Sequence, residues 1–324
     1  MFQEDILYEI FQYLDVSDVL KFKLLNKAHC TLFKNLKWKT QVHLRNSQVP
    51  CFGQLNEFKV YKLSIDAFHL KSVPLNHYLQ ELTILNCKLK LEFSTMHRLR
   101  RLTLVSCKRV IINLPRVEYL NLSYSECHIV NCDSVVHLDL SFTKVRTLPF
   151  MPHIRYLFLD YTAILDISEI CNLKMLSIEG TNINKLPDTS HLLYLNLSHT
   201  PFTENQILDY LPNCTNLRTL ELERMSITSL TLSSIIAHKI PLVDLNINDT
   251  DVYSDDLIYF LQNSFIKSLS IDNTKADQRV IDYLLQNPTK LTCVSALDIK
   301  FDSKPVNRLR RLLTIHVTDI DVMM

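Results

Sequence analysis

Cys127, His128, Cys132 and His137 come closest to a metal-binding set in this sequence of 324 residues. A structural zinc site needs four converging ligands, usually supplied by tight Cys-x-x-Cys-type pairs. The nine cysteines (Cys30, Cys51, Cys87, Cys107, Cys127, Cys132, Cys171, Cys214 and Cys293) contain no such pair. A cysteine nucleophile needs a base and a surrounding motif, and none of these residues has one. Gly53 and Gly180 are the only glycines, so the glycine-rich loops that cradle phosphates are missing. The expectation is a chain without catalytic residues, metal or cofactor.

Bulk properties narrow the class further. With 47% hydrophobic and 21% charged residues the chain is globular. A net charge of +1 gives no general attraction to nucleic acid or membrane. An odd number of scattered cysteines suits free thiols in a reducing compartment. No apolar run reaches membrane-spanning length, and the first residues are acidic rather than basic, which argues against a signal peptide. A cytoplasmic or nuclear location is expected.

The elements that position any surface are repeats. Val117-Glu118-Tyr119-Leu120-Asn121-Leu122-Ser123 returns as Val135-Val136-His137-Leu138-Asp139-Leu140-Ser141, as Ile154-Arg155-Tyr156-Leu157-Phe158-Leu159-Asp160, and as Leu192-Leu193-Tyr194-Leu195-Asn196-Leu197-Ser198. Apolar-x-x-apolar-x-apolar is similar to the strand signature of leucine-rich repeats. Indexed by the first strand leucine, the repeats begin at Leu63, Leu82, Leu102, Leu120, Leu138, Leu157, Leu176, Leu195, Leu220, Leu245, Leu269 and Leu297. The resemblance implies an α/β fold: a horseshoe-shaped solenoid with a parallel inner sheet, occupying residues 63–324. Residues 41–62 would hold a capping strand and a linker. Early repeats are short and proline-rich. Later ones have room for helices at Ile207–Leu211, capped by Thr203 and Gln206, at Leu257–Leu261, capped by Ser254, and at residues 276–285. Five residues after each index leucine stands Cys87, Cys107, Ser125, Thr143, Thr162, Thr181, Thr200, Met225, Thr250 or Thr274. Thiols and hydroxyls there can satisfy buried turn carbonyls. Met225 cannot, so its turn is expected to differ.

Residues 1–40 do not follow the repeat. Ile6, Leu7, Ile10, Phe11 and Leu14 make one apolar helical stripe, and a second run starts at Val19 and Leu20. Glu4-Asp5-Ile6-Leu7, Glu9-Ile10-Phe11, Tyr13-Leu14-Asp15, Asp18-Val19-Leu20 and Leu36-Lys37-Trp38 resemble an F-box, with Phe2-Gln3 where that family has Leu-Pro. The resemblance implies a substrate receptor of an SCF-type ubiquitin ligase. Phe2, Ile6, Leu7, Ile10, Phe11, Leu14, Val19 and Leu20 would dock on a Skp-type adaptor and, through it, on cullin and RING subunits. Partners would carry out ubiquitin transfer. A plain helical cap on the first repeat is the alternative. The chain would then be a leucine-rich repeat scaffold or inhibitor with no ligase role.

Side chains beside the strand leucines should face a protein substrate. Tyr119, His137, Tyr156, Met175 and Tyr194 fall in one register position, and Phe158, Asp160, Glu179, Glu221 and Glu223 stand next to it. Aromatics beside acids, with few basic residues, suit a basic protein segment. In this register His137 points away from Cys127 and Cys132.

Overall fold

The computed structural model describes residues 37–38, 42–44, 59–66, 77–88, 93, 96–287, 291–299, 305–306 and 314–317. The adaptor-docking set (Phe2, Ile6, Leu7, Ile10, Phe11, Leu14, Val19 and Leu20) and the linker at 46–57 lie outside the described residues. The chain divides into two compact units, Met1–Ile154 and Arg155–Met324.

In the first unit the strands are β1 (Lys37–Trp38), β2 (Val42–Leu44), β3 (Lys59–Val60), β4 (Lys62–Asp66), β5 (Glu81–Leu85), β6 (Arg101–Val105), β7 (Val110–Asn113), β8 (Tyr119–Asn121), β9 (Cys127–Asn131) and β10 (His137–Asp139). Strands β2, β4, β5, β6, β8 and β10 form one parallel ladder in that order. Each index leucine lies opposite the next: Leu63, Leu82, Leu102, Leu120 and Leu138 are in register. Alternation turns these leucines and the apolar residues two places on into the core. Ile65, Ile84, Leu104, Leu122 and Leu140 are all fully buried. Two return segments, β7 and β9, also pair in parallel. Alternation within Val110-Ile111-Ile112 explains β7, whose residues are buried and exposed in turn.

The second unit repeats the scheme with helices added. It contains β11 (Tyr156–Phe158), β12 (Met175–Ser177), β13 (Tyr194–Asn196), α1 (Glu204–Tyr210), β14 (Thr219–Glu221), α2 (Ser229–Ala237), β15 (Asp244–Asn246), α3 (Ser254–Asn263), β16 (Ser268–Ser270), α4 (Gln278–Gln286), β17 (Cys293–Ala296) and β18 (Thr314–Val317). All its strands are parallel and pair in sequence order. Leu157, Leu176, Leu195, Leu220, Leu245 and Leu269 are buried in one column. The next member is Val294, which pairs with Leu269. The expected index Leu297 is therefore wrong by three residues. Leu291, Val294 and Ala296 are buried and carry the apolar-x-x-apolar-x-apolar pattern, whereas Leu297 is partly exposed.

Helix starts are wired from repeat to repeat. Thr203 and Gln206 close a capping box on α1, as their spacing predicts. The Glu204 carboxylate then accepts from Thr228 N–H at 2.7 Å, Thr231 N–H at 3.2 Å and both hydroxyls, which caps α2 in the following repeat. Ser254 is not the cap of α3: that position is Tyr253, whose N–H donates to the Asp256 carboxylate at 3.4 Å. Ser254 is buried instead, and its hydroxyl donates at 2.8 Å to Asp277, the cap of α4. Helix α2 carries no amphipathic signature because Leu230, Leu232, Ile235 and Ile236 fall around its circumference.

One position sets the geometry of every turn. Four residues after the index, the backbone is left-handed at Asn86, Ser106, Tyr124, Phe142, Tyr161, Gly180, His199, Arg224, Asp249, Asn273 and Asp298. For residues with a Cβ this costs about 1–2 kcal/mol each. The return is a peptide N–H aimed at the next repeat: Tyr124 donates to Ser141 O at 2.9 Å, Tyr161 to Glu179 O at 2.7 Å and Arg224 to Asn248 O at 2.9 Å. The residue that follows closes the turn onto the strand, as Thr181 does onto Ile178 O at 3.2 Å. Met225 makes the same bond, to Leu222 O at 3.2 Å. Its turn is not different, contrary to the sequence reading, because backbone groups alone define the bend. Its thioether is buried, with the sulfur 3.7 Å from the Thr200 hydroxyl oxygen.

Side chains at that closing position are not equivalent. Thr181, Thr200, Thr250 and Thr274 donate to the carbonyl three residues back at 2.6–2.8 Å. Thr143 and Thr162, buried like Thr181 and Thr250, make no such bond. Thr181→Val should therefore cost about 1 kcal/mol in urea unfolding, whereas Thr162→Val should be neutral or stabilising. Equal losses at the two sites would refute the assignment.

Candidate protein-binding faces

Residues flanking the buried leucines line the open face of each sheet. In the first unit this face carries a three-membered stack. The Arg101 guanidinium lies 4.5 Å from the Tyr119 ring centroid, and Tyr119 stacks on His137 at 4.3 Å with 15° between planes. Parallel pairing of β6, β8 and β10 in one register holds the three together. Burial pushes the His137 pKa below its ordinary value; the nearby Asp139 opposes this and Arg101 adds to it. Asp139 is itself held, accepting from Asn121 Nδ2 at 2.9 Å and Ser141 N–H at 2.9 Å.

The eight other expected contact residues, Tyr156, Phe158, Asp160, Met175, Glu179, Tyr194, Glu221 and Glu223, line the second unit, all half-buried. Tyr156, Met175 and Tyr194 are direct neighbours on β11, β12 and β13. The carboxylates do not project freely into solvent. Asp160 accepts from Ser177 Oγ at 2.5 Å and Glu179 N–H at 3.0 Å. Glu179 accepts from Asn196 Nδ2 at 3.2 Å and Tyr161 Oη at 2.9 Å. Glu221 takes Asn246 Nδ2 at 3.1 Å and Glu223 pairs with His199 at 3.5 Å. Burial first, then the charges of Glu221 and Asp160, hold the Tyr194 phenol well above its usual pKa.

Counting Asp244 and Asp272, six of these outward positions from Tyr156 to Asp272 are acidic, and none holds lysine or arginine. The asymmetry extends to whole units. Residues 1–154 contain 20 Lys and Arg against 13 Asp and Glu, and residues 155–324 contain 15 against 21. A whole-chain charge of +1 conceals this, but splitting the count by half would have found it.

Tyr161 adds an exposed aromatic that its register position did not mark. Its ring lies over Gly180, where a Cβ would come within 2.5 Å of the ring edge. Gly180 also has φ +62°, so this glycine answers both a left-handed turn and a close approach.

Cys127 lies on β9 and Cys132 is buried beyond it, while His137 is on β10. Burial pushes both thiols up to about 11, which keeps them protonated near neutrality. Among the described residues no group of three His, Cys, Asp or Glu side chains is placed to hold a metal ion.

A histidine held neutral in the fold stabilises it least where the unfolded chain protonates. The His137 contribution is complete above pH 6.5, the ordinary value, and is lost as pH falls from there toward its depressed folded pKa. NMR titration should place the His137 midpoint below 6.5, and His137→Phe should flatten the stability loss as pH falls below 6.5. A midpoint at or above 6.5 would contradict the burial argument.

No protein-family model matches the sequence, and no curated protein does. Solved structures do. A leucine-rich repeat protein of Leptospira interrogans aligns with TM-score 0.56 and 18% identity, over 89% of this chain and 91% of its own. The APL1 leucine-rich repeat domain aligns at 0.52 and 15%, over 88% and 85%. A chain of the LRIM1/APL1C complex aligns at 0.51 and 13%, over 88% and 60%. Identities this low speak for architecture alone. In fold, this chain is a parallel-sheet solenoid of the leucine-rich repeat kind.

Proposed function

We propose that the chain is a non-catalytic substrate-recognition subunit of an SCF-type ubiquitin ligase. The open face of the second unit would bind a basic segment of a protein substrate. The observation that carries the binding half is the run of six carboxylates beside Tyr156, Met175 and Tyr194, without a lysine or arginine among them. Aromatics supply contact area at small entropic cost, and fixed acids steer a cationic partner. The ligase half rests on the F-box-like residues from Glu4 to Trp38. Those residues would dock on a Skp-type adaptor, and a cullin–RING assembly would bring a conjugating enzyme near the bound substrate. Catalysis would then be proximity supplied by partners. An intracellular location goes with this reading.

A scaffold or inhibitor without a ligase role is the second reading. It is favoured by the solved neighbours, which share the repeat architecture, one of them crystallised as the LRIM1/APL1C complex.

Co-purification separates the two. The intact chain should retain a Skp-type adaptor, and Ile10→Asp with Phe11→Asp should abolish this while leaving circular dichroism unchanged. Apolar anchors central to a docking interface contribute ~2–4 kcal/mol each. Retention of a partner but not of the adaptor would leave the scaffold reading. Separately, a fluorescent Lys-rich peptide should bind at low salt and be released toward 1 M salt, where the screening length falls to about 3 Å. Asp160→Asn with Glu179→Gln should weaken it about tenfold. Salt-independent binding would argue against the acidic face.

A further inference from the structure

One row on the second unit runs against its acidity. Two residues ahead of each index leucine stand Arg155, Lys174, Leu193, Arg218, Val243 and Lys267. Their spacing is fixed by the backbone. Lys174 N–H donates to Arg155 O at 2.7 Å, Leu193 to Lys174 O at 2.8 Å, and Arg218 to Leu193 O at 2.9 Å. Val243 donates to Arg218 O at 2.7 Å and Lys267 to Val243 O at 2.8 Å. Lys174, Arg218 and Lys267 are exposed. With adjacent strands about 4.8 Å apart, the row is on the order of 24 Å long.

The strands are thus flanked by two oppositely charged rows, one just ahead of them and one just after, and in the first the Arg218 guanidinium donates to Pro241 O at 3.1 Å. On the entering side lies this cationic row, with Leu193 exposed within it. On the leaving side, five residues further along each strand, lie Asp160, Glu179, Glu223 and Asp272. Five residues, three of them strand, separate the two rows by at most about 16 Å. Between them runs the row of Tyr156, Met175 and Tyr194. A helix with side chains is about 10–12 Å across, so one laid across the strands sits on the aromatic row and reaches both borders with its long flanking side chains.

We propose that this face takes an α-helical protein segment lying across the strands, with a basic flank on the acidic border and an acidic flank on the cationic one. The arrangement fixes direction as well as affinity: turning the helix end for end places like charges together along both sides. This deepens the reading of the face as a substrate-binding surface and rests on it.

The test uses synthetic 18-residue helical peptides of identical composition. One carries Leu on the contact face, Lys along one flank and Glu along the other. A second has the flanks exchanged, and a third mixes Lys and Glu on both flanks. Fluorescence anisotropy with the full chain should show both segregated peptides binding at least tenfold tighter than the mixed one. A photo-crosslinker at the peptide N-terminus should label opposite ends of the β11–β16 face in the two segregated isomers. Lys174→Glu with Lys267→Glu should remove the preference. Equal binding of all three peptides, or one crosslinking direction for both isomers, overturns the proposal. If the Lys-rich peptide still binds in a salt-dependent manner then, the acidic-face reading survives without it. If no peptide of either kind binds, both fail.

Discussion

A repeat of this kind cannot satisfy its own backbone. Its strand leucines need a neighbour's leucines to exclude water, and the N–H of its turn has no acceptor within the repeat. The left-handed residue after each strand resolves the second problem by aiming that N–H at the following turn. Its conformational cost, about 1–2 kcal/mol per side chain, is tolerable only because a buried, unpaired N–H would cost a similar amount or more. The same residue identity is not required. Tyr124, Phe142, Tyr161, His199 and Arg224 all adopt the conformation that Gly180 adopts without strain. Topology rather than propensity dictates the turn.

The recognition surface inherits its order from this constraint. Because successive strands are locked in register, each outward side chain meets its counterpart one repeat on. Asn121 with Asp139 and Asn246 with Glu221 are amide–carboxylate pairs of that origin, and Asn196 reaches Glu179, two residues beyond its counterpart Ser177. They hold the carboxylates in place without neutralising them. A partner that binds them loses little side-chain entropy on the receptor side, since that freedom was given up on folding.

Much of this was legible in the residues. The period-two leucines define the strands and their register, and the box at Thr203 and Gln206 defines the start of α1. The failures have physical causes. Leu297 sits in a run, Ala296-Leu297-Asp298-Ile299, that mimics the strand phrase, and only pairing with Leu269 selects Val294 instead. Ser254 looks like a cap because serine usually is one, yet here it serves the next helix. Helix α2 is apolar on several sides and so carries no periodic signal. At the candidate face, residue types were readable from register, but the hydrogen bonds that immobilise the acids connect residues 17 to 25 positions apart and have no local signature.

The links between helix starts bear on how such a chain can change length. Glu204 reaches forward to Thr228 and Thr231, and Ser254 reaches forward to Asp277. Each latch has two unlike halves held by consecutive repeats, so the repeats are not interchangeable tiles. An in-frame genetic duplication or loss at this end of the array would set a hook beside a repeat lacking its catch. Drift in repeat number is therefore penalised here, and variation by substitution on the open face is left as the easier evolutionary route.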